Sequence, residues 1–168
     1  MKHIMIDIEC DGPLIGTHSM ISFGAVVIDK GLEKRFYAEL KPIGDQYIEE
    51  ALSVSGFTRE KTLTFKHPEE VMIEFEQWLK SLNDRVVFWS DNNGFDFAWV
   101  NWYFLTFIGE NPFGHSSNNL RNVFNGMNKS MKQSFKHLRK TKHSHNALDD
   151  ALGNAEAMLE MMNMGMKF

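Results

Sequence analysis

Cysteine is nearly absent: Cys10 stands alone, so no disulfide forms within the chain, which fits a reducing compartment. Long apolar runs are missing as well, and none approaches the ~18 residues of a membrane span. The first strand is expected to start by residue 3, leaving no room for a charged-then-apolar leader. A soluble, cytoplasmic protein with no membrane partner is the expectation. Prolines number only four, and there is no internal repeat, low-complexity tract or interdomain linker. A chain of 168 residues, 43% hydrophobic and 24% charged, is then expected to form a single domain over residues 1–168.

Acidic residues are also missing from one long interval. None occurs between Glu110 and Asp149, a stretch that holds Arg121, Lys129, Lys132, Lys136, Arg139, Lys140 and Lys142. The interval carries +7, which leaves −11 on the rest of a chain whose net charge is −4. A basic surface beside an acidic site suits a phosphate backbone held near cations. A lysine-rich solvated loop accounts for the same composition.

What is present first is Ile4-Met5-Ile6-Asp7-Ile8-Glu9. Side chains alternate in a strand, so Ile4, Ile6 and Ile8 share one face and His3, Met5, Asp7 and Glu9 the other. The two carboxylates then stand on one face with Cα atoms roughly 6.5–7 Å apart, within reach of a common cation. On this stretch alone, an ordinary strand with one polar, solvated face explains the pattern equally well.

The pattern downstream predicts an α/β protein. Gly12, Pro13 and Gly16 break the first strand. A second strand from Met20 to Ile28, a hairpin connection at Asp29-Lys30-Gly31 and a third strand from Lys34 to Leu40 make an antiparallel meander. A short helix is expected over 46–54. Pro68, Glu69 and Glu70, followed by Val71, Phe75, Trp78, Leu79 and Leu82 at helical spacing, predict a longer helix. Arg85 to Trp89 then reads as a compact strand and Ser90 to Gly94 as a polar loop. A strand, a crossing helix and another strand imply a parallel neighbour, hence a mixed sheet. Phe95 to Ile108, apolar nearly all round, reads as a helix buried on several sides. Ser116 to Lys140 is expected to hold one or two short helices separated by Gly126. The stripe Leu148, Ala151, Leu152, Ala155, Met158, Leu159, Met162 predicts a closing helix.

Asp96 falls in the first turn of the aromatic helix, where a carboxylate complements the helix dipole or serves chemistry. His145 falls at the start of the closing helix, with Asp149 and Asp150 about one turn inside. Together with Asp7 and Glu9 these supply carboxylates and a histidine from one strand and two helices. Two-metal phosphodiester hydrolysis needs such a set. Hard oxygen ligands hold two Mg2+ (or Mn2+) ions ~3.5–4 Å apart, and a histidine takes the proton of the attacking water. His143 has no third ligand nearby in sequence and reads as incidental, not as half of a zinc site.

The order and spacing of these residues resemble the DEDD exonucleases of the ribonuclease H-like fold, in the branch whose last motif carries a histidine. Asp7-Ile8-Glu9 matches the Asp-x-Glu motif, with Gly12 where the family often has glycine. Asp96 matches in Asn-Gly-Phe-Asp, and His145 with Asp150 matches His-x4-Asp, a spacing that selects Asp150 over Asp149. The resemblance implies a central mixed sheet, an antiparallel three-strand meander plus parallel strands, flanked by helices. It implies a 3′→5′ exonuclease releasing nucleoside 5′-monophosphates, with Asp7, Glu9, Asp96 and Asp150 as ligands to two Mg2+ (or Mn2+) and His145 as general base. The implied partner is a nucleic acid 3′ end, RNA slightly favoured over single-stranded DNA, and some members are homodimers.

Substrate contacts follow in part from the same resemblance. Cys10-Asp11 stands where many relatives carry Thr, Met or Ala, and with Gly12 it is similar in position to the segment that receives the terminal nucleotide. By the same analogy Met20 or Ile21 would wedge against the terminal base. On the aromatic helix, Trp99 and Tyr103 share the stripe of Asp96. Unless they are core, they are the expected base-stacking faces, each stack worth ~1–3 kcal/mol. Lys136, Arg139, Lys140 and Lys142 are the expected phosphate track.

Overall fold

Strand β1 (Lys2–Cys10) is the middle of a five-stranded sheet. On one side it pairs antiparallel with β2 (Met20–Val27), which pairs antiparallel with β3 (Arg35–Glu39). On the other side it pairs parallel with β4 (Val86–Ser90), and β4 pairs parallel with β5 (Ser117–Asn119). The computed structural model describes residues 1–168, and its sheet is mixed as expected. The helices are α1 (Glu49–Val54), α2 (Arg59–Thr62), α3 (Pro68–Ser81), α4 (Asn93–Phe107), α5 (Leu120–Met127) and α6 (Ala147–Asn163). None is long and apolar enough to cross a membrane.

Both faces of β1 are covered. Ile4, Ile6 and Ile8 join Phe23, Ala25 and Val27 in a core that includes Val71, Phe75 and Leu79 of α3 and Val100 and Phe104 of α4. Met5, Val26 and Trp89 face the other way, under Leu120 and Phe124 of α5 and Ala151, Ala155, Met158 and Met161 of α6. The polar face of β1 is therefore not a solvated surface. Met5 packs beneath a helix, and Asp7 and Glu9 lie further along the same face, where α6 starts.

Four expectations shift. The helix expected over 46–54 begins only at Glu49, and α4 starts at Asn93, inside the expected loop. The stretch from Ser116 contains β5, whose three residues Ser-Asn-Asn carry no hydrophobic alternation by which a strand is read. Gly126 does not split the helix after it: α5 runs through to Met127, because a single glycine in a last turn costs only about 1 kcal/mol.

The contact between α6 and β2 depends on a missing side chain. Asp7 pairs in register with Gly24. A methyl group on Gly24 would sit 2.6 Å from the Ala147 carbonyl oxygen and from the Leu148 amide nitrogen. Only glycine lets the first turn of α6 lie against the strand opposite Asp7. Gly24→Ala is therefore expected to destabilise the fold by about 1–3 kcal/mol through overpacking. Amide hydrogen exchange should localise the damage to the first turn of α6; a uniform change over the sheet would contradict this account.

Candidate active site

The strand, α4 and α6 bring their acids to one place. The C-terminal half of β1 presents Asp7 and Glu9, the first turn of α4 presents Asp96, and the first turn of α6 presents Asp150. All four line one cleft of about 220 Å3, together with Asp91, His143, His145 and Asn154. A larger hollow of about 510 Å3 beside Tyr37, Phe65 and Lys66 holds no such convergence of carboxylates.

Within the cleft the acids form two groups that share a member. Carboxylate oxygens of Asp7, Glu9 and Asp150 lie within 4.8 Å of one another, and so do those of Asp7, Asp91 and Asp96. Asp91 is a participant that sequence reasoning missed; its only signal was a place in the polar loop five residues before Asp96. The Asn154 side-chain amide donates to Asp91 Oδ1 at 3.3 Å, and the Asn119 amide donates to the Asp91 carbonyl at 3.0 Å and to Asn93 Oδ1 at 3.0 Å. Asn154 also went unrecognised, although it stands one helical turn after Asp150 on the same stripe. Strand β5 thus fixes the loop that carries Asp91.

Asp150 is held more firmly than the others. Its Oδ1 accepts from Arg139 Nη2 at 2.7 Å and from the Ser144 amide at 3.3 Å, and lies 2.8 Å from His143 Nδ1. Its Oδ2 accepts from the His145 amide at 3.1 Å. Asn146 caps α6 by accepting from the amides of Leu148 and Asp149, and His145 before it adopts a left-handed φ of 58°. That turn folds the loop back over the carboxylate. Asp149 is exposed on the helix and accepts from the Ser144 hydroxyl instead, so the selection of Asp150 agrees with the geometry.

Burial sets the electrostatics. Asp7 is pushed well above the usual carboxylate range, first by desolvation and then by the charges of Asp96, Asp91, Glu9 and Asp150. Desolvation, with Asp150 beside it, raises Glu9 to about 7. Asp96 is raised to about 8, mainly by desolvation, with Asp91 and Glu9 adding to it. Asp96 Oδ2 is buried without a hydrogen-bond partner. Buried carboxylate oxygens lacking donors are what a hard divalent cation satisfies, so this donor set fits one.

Most of the expected substrate contacts are corrected. Trp99 and Tyr103 are fully buried. Both join the core between α4 and the sheet, and the Tyr103 hydroxyl accepts from the Met20 amide at 2.8 Å. Met20 and Ile21 are fully buried too, because β2 is a central strand covered on both faces. Asp11 is engaged by the Ser19 amide at 2.5 Å and by Arg59 at 3.2 Å, and so holds the loop after β1. A methyl group on Gly12 would meet the His18 ring, 2.8 Å from its Nδ1, so this glycine also serves the loop. Cys10 is half-buried against the apolar core, its thiol pushed up to about 11 by burial.

Of the four basic residues, Lys136 and Arg139 line the cleft, and Arg139 is committed to Asp150 with only 6% of its side chain exposed. The chain trace allows this because Gly153 leaves room: a methyl group there would lie 2.6 Å from Arg139 Nη2. Lys140 turns to Glu160 at 3.6 Å, and Lys142 is exposed outside the cleft lining. The aromatic group in the lining is Phe95, immediately before Asp96.

Residues 4–158 match the exonuclease family of RNase T. The chain belongs to that family. A curated relative, the 3′-5′ DNA exonuclease Cap18 of Escherichia coli, is 34% identical over 128 residues, 74% of this chain and 68% of that one. Among solved structures, the fold is similar to the nuclease domain of 3′hExo, a DEDDh family member bound to rAMP. There the TM-score is 0.81 at 18% identity, over 98% of this chain and 92% of that one. It is also similar to E. coli exonuclease I in complex with a dT13 oligonucleotide, with TM-score 0.75 at 15% identity, over 96% of this chain and 41% of that one. This chain is thus a nuclease of the exonuclease family, with a mixed sheet flanked by helices, like that of its structural neighbours, and an acidic cluster of the kind by which the family uses divalent metals.

The raised carboxylates make a stability prediction for this nuclease. Between 4.5 and about 7 the folded chain retains a proton on Glu9 that the unfolded chain has released, and Asp96 extends this range to about 8. In chelator, stability should therefore fall as pH rises through that interval. Asp96→Asn should raise the melting temperature at pH 8 in chelator while abolishing nuclease activity. A variant that melts lower than the parent under those conditions would show that Asp96 is stabilising and not strained.

Proposed function

We propose that this exonuclease removes nucleotides one at a time from single-stranded 3′ ends by a two-metal mechanism with His145 as general base, releasing nucleoside 5′-monophosphates. The observation that carries the reading is that Asp7 belongs to two carboxylate groups at once, one with Glu9 and Asp150 and the other with Asp91 and Asp96. Asp7, Glu9 and Asp150 would hold one Mg2+ or Mn2+, and Asp7 with Asp96 the other. The cations would supply activation of the attacking water and neutralisation of charge on the leaving oxygen.

The chain's own groups do the rest. His145 lines the cleft while its backbone amide is tied to Asp150, so the imidazole is free to accept the water's proton beside the acids. Lys136 stands at the rim for a substrate phosphate, and Phe95 offers a ring to a base or sugar. DNA is the first substrate of this reading, because the relative at 34% identity is a DNA exonuclease. RNA is the second, because a structural neighbour recognises a histone mRNA stem-loop.

Incubation with 5′-labelled single-stranded DNA and RNA of equal sequence in Mg2+ should give a ladder that shortens from the 3′ end. It should vanish in chelator and with Asp150→Ala. His145→Ala should lower turnover by about 10²–10⁴-fold, the scale of general base catalysis, with Mn2+ binding retained. Internal cuts, or activity surviving Asp150→Ala, would overturn the mechanism.

The two cleft cations of the chain separate by salt. Lys136→Ala should weaken DNA binding and reduce the slope of log affinity against log salt by about 1. Arg139→Gln should leave that slope unchanged but destabilise the fold by about 3–5 kcal/mol, since it uncovers a buried charge. Equal slopes for Lys136→Ala and the parent would remove Lys136 from the phosphate path.

A further inference from the structure

The third partner of His143 and His145 is Asp150, five residues past His145. The left-handed turn at His145 brings the two imidazoles together, with ring centroids 4.2 Å apart. His143 Nδ1 is 2.8 Å from Asp150 Oδ1, and ligand atoms of His143, His145 and Asp150 all lie within 4.8 Å of one another. Two nitrogens and one carboxylate oxygen form a donor set of the kind Zn2+ accepts with three protein ligands, leaving a fourth position for water or a substrate oxygen. Mg2+, which demands oxygen ligands and sheds water reluctantly, does not select it.

We propose that His143, His145 and Asp150 form a further site, overlapping the catalytic set at His145 and Asp150, for a borderline transition cation, of which Zn2+ is the type, and that its occupancy switches the nuclease off. Both imidazoles are solvent-exposed, so the cation has a path in. Arg139, on the same Asp150 oxygen as His143, opposes binding, whereas Asp7, Glu9, Asp91 and Asp96 in the cleft favour it. A cation seated there takes the His145 lone pair, which on the reading above must receive the water's proton, and draws on Asp150, which that reading assigns to a catalytic cation. Inhibition thus rests on the proposed role of His145; the site itself rests only on the geometry.

Two measurements test this on the full chain, using His143→Ala and His143→Gln, the latter keeping a hydrogen-bond donor for Asp150. Co2+ added to the parent should give the intense visible bands of a four-coordinate ion, displaced by Zn2+ and absent from both variants. In saturating Mg2+, Zn2+ should inhibit the parent, and each variant should need about tenfold more Zn2+ or beyond to reach half of its own Mg2+ rate. Identical inhibition of parent and variants, or Co2+ bands that survive both substitutions, would overturn the proposal. A chain that shows the His143-dependent Co2+ bands but no Mg2+-dependent cleavage would keep the cation site and overturn the catalytic reading instead.

Discussion

Carboxylates outnumber cations at the end of β1, and the fold must hold them there against their own repulsion. Asp7, Glu9, Asp91, Asp96 and Asp150 line one cleft with a single committed guanidinium among them. Two of these acids are raised to about 7 and about 8, and Asp7 is pushed well above its usual range. Such a site survives only where rigid surroundings over-determine it. Here the support is the apolar sandwich around β1: Ile4, Ile6 and Ile8 on one face, and Met5 beneath α6 on the other. The strain is what gives a divalent cation something to relieve.

Arg139 and the β5 loop show how different acids are held in different ways. Asp150 is fixed by the Arg139 charge and by three further contacts from His143, Ser144 and His145, all converging on the first turn of α6. Asp91 is fixed by neutral amides, from Asn154 and from Asn119 of β5. Asp96 Oδ2 is left without any donor. The cleft is therefore graded, from a carboxylate with both oxygens engaged at Asp150 to one with a buried oxygen unpartnered at Asp96.

Much of this was legible from residue order. Alternation in Ile4–Glu9 places the two acids on one face, and the stripe from Leu148 to Met162 places Asp150 at the start of a buried helix, so the sheet type and the principal acids follow from local periodicity. The contacts that define the cleft's edges do not. Asp91 and Asn154 join across 63 positions, and β5 has no apolar alternation to betray it. Trp99 and Tyr103 escape the sequence reading because periodicity tells which residues share a stripe and not which way the stripe faces, and here the stripe of Asp96 runs on into the core; Met20 and Ile21, expected by analogy alone, lie in a strand covered on both faces. Arg139 was misread for a related reason. Basic residues in one run look alike in composition, and only the gap left by Gly153 sends this one inward.

The close seat of α6 on Gly24 also bears on time. Asp7 and Glu9 lie among the first ten residues, whereas Asp150 and the histidines belong to a helix start that can reach them only by settling on bare backbone opposite Asp7. In chain order the early acids precede Asp150 by more than 140 positions. The acidic cluster is therefore completed last, when one helix settles on the sheet.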